Sequence, residues 1–344
     1  MQPSGKSVDC AYGDTVLMAL EKAGYALPNN CRAGACGECK VKVTQGQFDQ
    51  GMVLDMALSQ DERKQGYGLM CMAKPISEEL TIEWGTLDAR PKLFPPREDA
   101  LFVVTDKRQI ASRVVELCLR PVGQPIRYWP GQYVTVGNPR ADVPARAYSI
   151  SNAPRPDGEL VLQMARADGG NARNWIHDSL QLGENVKISG AYGTFIGDPS
   201  VDTPVLCLAA GTGLAPVLAL AEAALRRGFK KPVTMVFSAR GREDVYSQGM
   251  MAWWRTKHRN FDYKVTLTRA AADGYLSGRI DVVLPQLFKD LSKHTIFAAG
   301  SPEFVETCVA TVKALGAKDE LIHTEGFFAQ QQPVVADADH LLPG

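Results

Sequence analysis

Neither sign of charge is in excess in this sequence: 38 Lys and Arg face 38 Asp and Glu across 344 residues. A domain-wide basic field is therefore missing, and with it the electrostatic footprint of a nucleic-acid binder. An unbroken apolar run is missing too, because the longest candidate, residues 204–225, is interrupted by Gly211, Gly213 and Pro216 and carries Glu222. A lipid-facing helix must satisfy its own backbone throughout, so this stretch reads as a buried strand, a glycine turn and a helix, and no membrane association is expected. The start, MQPSGKSVDCAYG, lacks the charged-then-apolar plan of a secretory leader, which leaves the cytoplasm as the expected location. Disorder bias is absent as well. With 45% hydrophobic and 22% charged residues the chain should fold, and its length calls for two or three domains.

Cysteine, by contrast, is present eight times. In a reducing compartment that number points away from a disulfide scaffold and toward metal or redox chemistry. Cys31, Cys36, Cys39 and Cys71 fall in the first quarter, whereas Cys10, Cys118, Cys207 and Cys308 stand alone and read as buried small apolar residues.

Residues 1–87 form a small glycine- and cysteine-rich unit with a helix expected over 15–24 and a strand over 80–84. Residues 88–97, DARPKLFPPR, carry three prolines and suit a stiff linker. Short strand-like runs at 100–106, 114–119, 133–136, 147–151 and 160–165 give 98–199 the signature of an antiparallel β-barrel. From 200 to 330 the strands PVLCLAAG, PVTMVFSA, YKVTLTR and HTIFAAG alternate with helical stretches at 217–227, 244–257 and 303–315, as in an α/β unit with a parallel sheet. The tail, 331–344, has no periodicity and is expected to be loosely held.

CRAGACGEC spaces Cys31, Cys36 and Cys39 by four and two residues, and Cys71 follows after 31 more, the plant-type ferredoxin spacing. Four thiolates hold two irons, and Gly34, Ala35 and Gly37 keep the loop small enough for its N–H groups to reach sulfur. A single zinc ion is the plain alternative, although zinc loops usually come as paired two-residue knuckles. The unit resembles the plant-type ferredoxin domain, an α+β (β-grasp) fold, in LPNNC before the first ligand and in TVLMALEKAGY before that. The resemblance implies a 2Fe-2S cluster on the four cysteines. Where the family has its first strand this chain opens with the turn PSGK, so that strand should be short or absent.

Arg146, Tyr148, Ser149 and Asn152 lie in ARAYSISN. On a regular strand Arg146 and Tyr148 share a face, which would let a guanidinium meet a phosphate while the ring covers a planar cofactor. A half-exposed hairpin explains the same residues if they are taken alone. Placed after a ferredoxin unit and before a parallel αβ unit, however, they make the chain to about residue 330 resemble the ferredoxin-NADP reductase superfamily. That resemblance implies an FAD whose phosphate binds Arg146, whose ring packs on Tyr148 and whose N5 lies near Ser149, with Asn152 in the same segment. It also makes Arg166 and the Gly169-Gly170-Asn171 turn a second flavin segment, closing over the pyrophosphate. Relatives place Ser or Thr after the glycine pair; here NARNWIHD offers Arg173 as a replacement.

LCLAAGTGLAPVLAL sets a glycine turn between a buried strand and a helix, where N–H groups and the helix N-terminus can face a phosphate. A packing turn reads equally well from the motif alone; the resemblance carries Gly211, Thr212, Gly213, Leu214 and Pro216 to an NADH or NADPH site. The tip of the next strand is Ser238-Ala239-Arg240-Gly241-Arg242, with no acid before Glu243, so Ser238, Arg240 and Arg242 should meet the ribose and a 2′-phosphate is admissible. Ala299 stands where relatives carry a cysteine. HTEGFF resembles the family's closing strand and implies Phe327 beside the flavin ring and Glu325, with Ser149, near the reaction site; a core strand is the alternative.

Nicotinamide gives two electrons at once and a cluster takes one, so a flavin between them has a purpose. The best match is an NAD(P)H-dependent reductase component of a multicomponent oxygenase, ring-hydroxylating or soluble di-iron. It would pass electrons to a terminal oxygenase or an intermediary ferredoxin. No HExxH or ligand-spaced histidine pair suggests an oxygenase site in the chain itself. A reductase partner of a deoxysugar dehydrase shares every motif, and a non-catalytic redox-sensing module would dispense with the nicotinamide site.

Overall fold

The helix Val16–Lys22 starts where Thr15 is still extended and its hydroxyl accepts the Met18 N–H at 3.3 Å. That cap satisfies one of the donors a helix start leaves open. In this computed structural model, which describes residues 1–138, 143–166, 175–198, 200–269 and 271–327, the helix buries Val16, Leu17, Ala19 and Leu20 against a three-stranded antiparallel sheet. Lys40–Gln45 is its centre, between Tyr67–Leu69 and Thr81–Glu83. The expected first strand is reduced to one bridge: Gln2 N–H donates to Ile82 O and Gln2 O accepts from Trp84 N–H, both at 2.8 Å.

The proline-rich segment is packed down rather than free. Lys92 and Leu93 N–H both donate to Gly24 O, Phe94 stacks on Trp129 with centroids 5.6 Å apart, and a strand already starts at Arg97. That strand, Arg97–Ala111, is longer than its apolar run predicts. The sheet runs Leu160–Ala165, Val114–Pro121, Arg97–Ala111, Asn185–Tyr192, Tyr133–Asn138, Val143–Ser149, with antiparallel neighbours throughout. An Ile150–Leu162 bridge links its two edges and makes a barrel around Phe102, Leu117, Leu119, Val134 and Ile188. Asn185–Tyr192 escapes a sequence reading because NVKISGAY carries a lysine and Gly190 inside a short alternation.

All six strands of the third sheet are parallel, in the order Leu276–Ser277, Phe261–Leu267, Val233–Ala239, Val205–Ala210, Thr295–Gly300, Ile322–Gly326. Thr295–Gly300 is buried at every position, as a strand covered on both faces must be. The helix expected from 244 begins at Gln248 instead. Arg242–Asp244 form a 3-10 turn held by Asp244 Oδ2 accepting Gly241 N–H at 3.3 Å, and Ser247 sits at φ 57, which no helix continues through. Ile280–Leu287 is a further helix, with Pro285 inside it. Val205–Ala210 has Val233–Ala239 on one side and Thr295–Gly300 on the other, so the chain crosses in opposite directions from it and a crevice opens at its carboxyl end.

Of the four isolated cysteines, Cys207 and Cys308 are buried and Cys118 is half-buried; Cys10 is exposed, contrary to expectation, because it lies in the loop before the first helix and not in a packed element. The tail at 331–344 lies outside the described residues. Among those described, no helix is long and apolar enough to cross a membrane.

Candidate functional site

The cysteine loop turns through three left-handed residues, Arg32 at φ 52, Gly34 at 70 and Gly37 at 80. This folds successive N–H groups inward: those of Ala33, Ala35 and Cys36 donate to Cys31 Sγ at 3.5, 3.3 and 3.3 Å, and Cys71 N–H donates to Cys39 Sγ at 3.4 Å. Gly34 is required sterically, since a Cβ there would stand 2.9 Å from Met52 O and from the Val53 side chain. The thiols fall into two pairs, Cys31 with Cys36 and Cys39 with Cys71. Among the described residues no three His, Cys, Asp or Glu gather closely enough to hold one metal ion. Two thiolates for each of two irons, with N–H groups already aimed at sulfur, fit a 2Fe-2S cluster better than a single zinc.

Cys31 also lines a cavity of ≈ 280 Å³ together with Tyr133, Arg146, Tyr148, Ser149, Arg166, Thr212, Glu325 and Phe327. Three parts of the chain converge there. Arg146 and Tyr148 pair with Val136 and Val134 across the barrel, so alternation puts both on one face, as expected. Ser149 Oγ donates to Glu325 Oε2 at 3.3 Å. Glu325 is only 7% exposed, and burial lifts its carboxyl to about 8 even though the Ser149 hydrogen bond favours the charged form. Arg166 is oriented by Asp178 at 2.6 Å. Asn152 is not part of the lining: its amide donates to Ala153 O and Glu159 O and accepts Val161 N–H, tying a hairpin together. Gly169, Gly170, Asn171 and Arg173 lie outside the described residues.

A second cavity, ≈ 810 Å³, shares Ala165, Arg166, Thr212 and Phe327 with the first and continues over Gly211, Ser238, Arg240 and Asp244. Its floor is the glycine turn, steadied by Tyr246 OH donating to Gly211 O at 2.8 Å. A Cβ on Gly213 would lie 2.1 Å from Ala299 O, so only glycine lets the turn approach the neighbouring strand. Leu214 and Pro216 are buried in the helix and do not reach the cavity. Of the two tip arginines only Arg240 faces it; Arg242 is turned over the Tyr275 ring, 5.9 Å from its centroid. The 3-10 turn carries Asp244 back to the cavity wall, which its place after Glu243 in the sequence conceals. Asn30, from LPNNC, and Tyr133 and Arg113, without a motif of their own, are further lining residues.

Residues 1–75 match a 2Fe-2S iron-sulfur cluster binding domain, 102–196 an oxidoreductase FAD-binding domain and 207–310 an oxidoreductase NAD-binding domain. The reductase subunit of an aromatic O-demethylase from Amycolatopsis is 31% identical over 327 residues, 94% of this chain and 96% of its own length. The chain belongs to the iron-sulfur flavoprotein reductases that serve oxygenases. The reductase component of phenol 2-monooxygenase from Pseudomonas is 29% identical over 91% of the chain and 89% of its own length. A crystal structure of an Amycolatopsis cytochrome P450 reductase superposes with TM-score 0.86 at 30% identity, covering 94% of this chain and 97% of that one. The three-part fold, the 2Fe-2S, FAD and NAD(P) cofactors and the NAD(P)H oxidoreductase activity expected from the sequence are those of this family.

Proposed function

We propose that the chain takes electrons from NADH or NADPH at the larger cavity and passes them through the smaller one to Cys31, Cys36, Cys39 and Cys71, for delivery to an oxygenase acting on aromatic compounds or to its ferredoxin. One observation carries this reading: Cys31, Ser149 and Glu325, from three separate sheets and loops, line one cavity that runs into the glycine-turn crevice. FAD, when bound, supplies the conversion between paired and single electrons. The protein supplies position and protons. Arg146 would hold the FAD phosphate and Tyr148 would pack on its ring, and Gly169-Gly170-Asn171 with Arg166 is assigned to the pyrophosphate by resemblance. Ser149 Oγ and Glu325 Oε2 are hydrogen-bonded within the cavity and would serve as a proton relay; the carboxyl is neutral below about pH 8 and could pass a proton through the hydroxyl.

Gly211 and Thr212 would present backbone N–H groups to the dinucleotide phosphates, with Gly213 letting the turn approach the neighbouring strand and Leu214 and Pro216 packing the helix behind them. At the ribose end Asp244 suits a diol and Arg240 a 2′-phosphate, so coenzyme preference is a contest between these two side chains. The cytoplasm, where such thiols stay reduced, is the compartment we assign.

Purified protein should contain close to two irons, two sulfides and one FAD, and should reduce both ferricyanide and cytochrome c with NAD(P)H. Stoichiometric zinc, or no bound flavin, overturns the reading. A redox-sensing module would show cluster signals without steady NAD(P)H oxidation, and a deoxysugar dehydrase partner would be separated by which acceptor protein is reduced.

A further inference from the structure

The cysteine loop leaves its own unit through the two neighbours of Cys31. With its amide oriented to satisfy both partners, Asn30 donates Nδ2–H to Gly326 O at 2.9 Å and accepts Gly326 N–H on Oδ1 at 3.0 Å. Ile322–Gly326 is the outermost strand of the parallel sheet, and its inner side is already used, with Phe327 N–H donating to Gly300 O at 2.7 Å. The groups of Gly326 would otherwise face an open sheet edge. Asn30 closes that edge at the residue between Glu325 and Phe327.

On the other side, Arg32 pairs with the buried Glu21 at 2.5 Å and lays its guanidinium over the Tyr192 ring, 4.6 Å from the centroid. Tyr192 is in register with Tyr133 and Tyr133 with Ser149, so Arg32 rests on the rung of the barrel that bears the hydroxyl meeting Glu325. Neither contact involves sulfur; Cys31 Sγ is bonded by backbone N–H groups inside the loop. Of the four clustered cysteines, Cys31 is the one that lines the smaller cavity.

We propose that Asn30 and Arg32 are positioning residues for electron transfer, pinning Cys31 against the flavin site from both sides by Asn30–Gly326 and Arg32–Tyr192. Two anchors on opposite neighbours set both the place and the orientation of one residue, where a single anchor would leave a hinge. The strand carrying Glu325 and Phe327 and the loop carrying Cys31 then move as one body. This rests on the functional reading above.

The test uses the cofactor-loaded protein and three variants: Asn30→Ala; Arg32→Lys, which keeps a cation for Glu21 but loses the planar face; and Tyr192→Leu. Stopped-flow mixing with NADH should show the rate of cluster reduction falling about tenfold relative to that of flavin bleaching in the same variant, equivalent to about 1.4 kcal/mol. Iron content and the cluster's electron paramagnetic resonance should not change. Independently of turnover, amide exchange in Asn30→Ala should speed up at Gly326 and not at Phe327. Wild-type cluster reduction in the variants, or unchanged exchange at Gly326, overturns the proposal. So does loss of iron, which would place these residues in holding the cluster. A wild-type protein without cluster or flavin refutes the functional reading instead, so the two failures are distinct.

Discussion

On the functional reading proposed above, the cysteine loop and the glycine-turn crevice both use backbone N–H groups, yet they rely on opposite resources. In the loop, four thiols do work that no other side chain can do, and the backbone only supports them. In the crevice the essential property is space: Gly213 passes so close to Ala299 that any Cβ collides, while the side chains around it, Arg240 and Asp244, only bias which dinucleotide fits. The loop should therefore fail when a side chain changes, and the crevice when a void is filled.

The largest effect should come from Cys71→Ser. Loss of one ligand of four is expected to abolish cytochrome c reduction and the visible cluster bands while NAD(P)H-to-ferricyanide activity, served by flavin alone, largely persists; equal loss of both activities in a variant that keeps FAD breaks the comparison. Next is Gly213→Val. Its φ of −59 suits valine, so the cost is the clash with Ala299 O, about 1–3 kcal/mol or more on the overpacking scale. Gly211→Ala sharpens the point: the added methyl meets nothing within 4 Å, but φ is +53, which costs about 1–2 kcal/mol. Thermal unfolding of the two variants separates collision from backbone strain.

Coenzyme selection should move by a comparable free energy, but without loss of folding. Arg240→Ala is expected to lower NADPH use relative to NADH by about one to two decades in kcat/KM, the worth of a charge-assisted bond. Arg242→Ala, turned onto Tyr275, should leave the ratio near its starting value. Equal effects would mean that the crevice is lined differently.

The effect of pH is graded. Glu325 holds its proton more tightly in the folded chain, up to about 8, than at the ordinary value of 4.5 it has when unfolded. The folded state thus binds more protons between these values. Stability should fall as pH rises from about 5 to about 8 and level off above, and Glu325→Gln should flatten that slope in denaturant titrations.

Much is legible in the sequence alone, and particular residues show why. Cys31, Cys36 and Cys39 sit within nine residues, so their spacing is a local fact. Arg146 and Tyr148 are two apart, and strand alternation alone puts them on one face. Glu325 and Phe327 were reachable only through resemblance, since HTEGFF by itself is equally a core strand. Helix onset at 244 failed because the pattern does not show that Gly241–Asp244 closes a turn of its own.

Chemistry that depends on residue type and short spacing is read along the chain: the proposed cluster ligands, the order of the cofactors and the location of the glycine turn. Which groups meet was decided by the fold. Asn30 on Gly326, Arg32 on Tyr192, Ser149 on Glu325 and Arg240 rather than Arg242 at the crevice join positions remote in sequence or depend on a turn. The raised carboxyl of Glu325 follows from burial, a property of surrounding volume that no window of sequence carries.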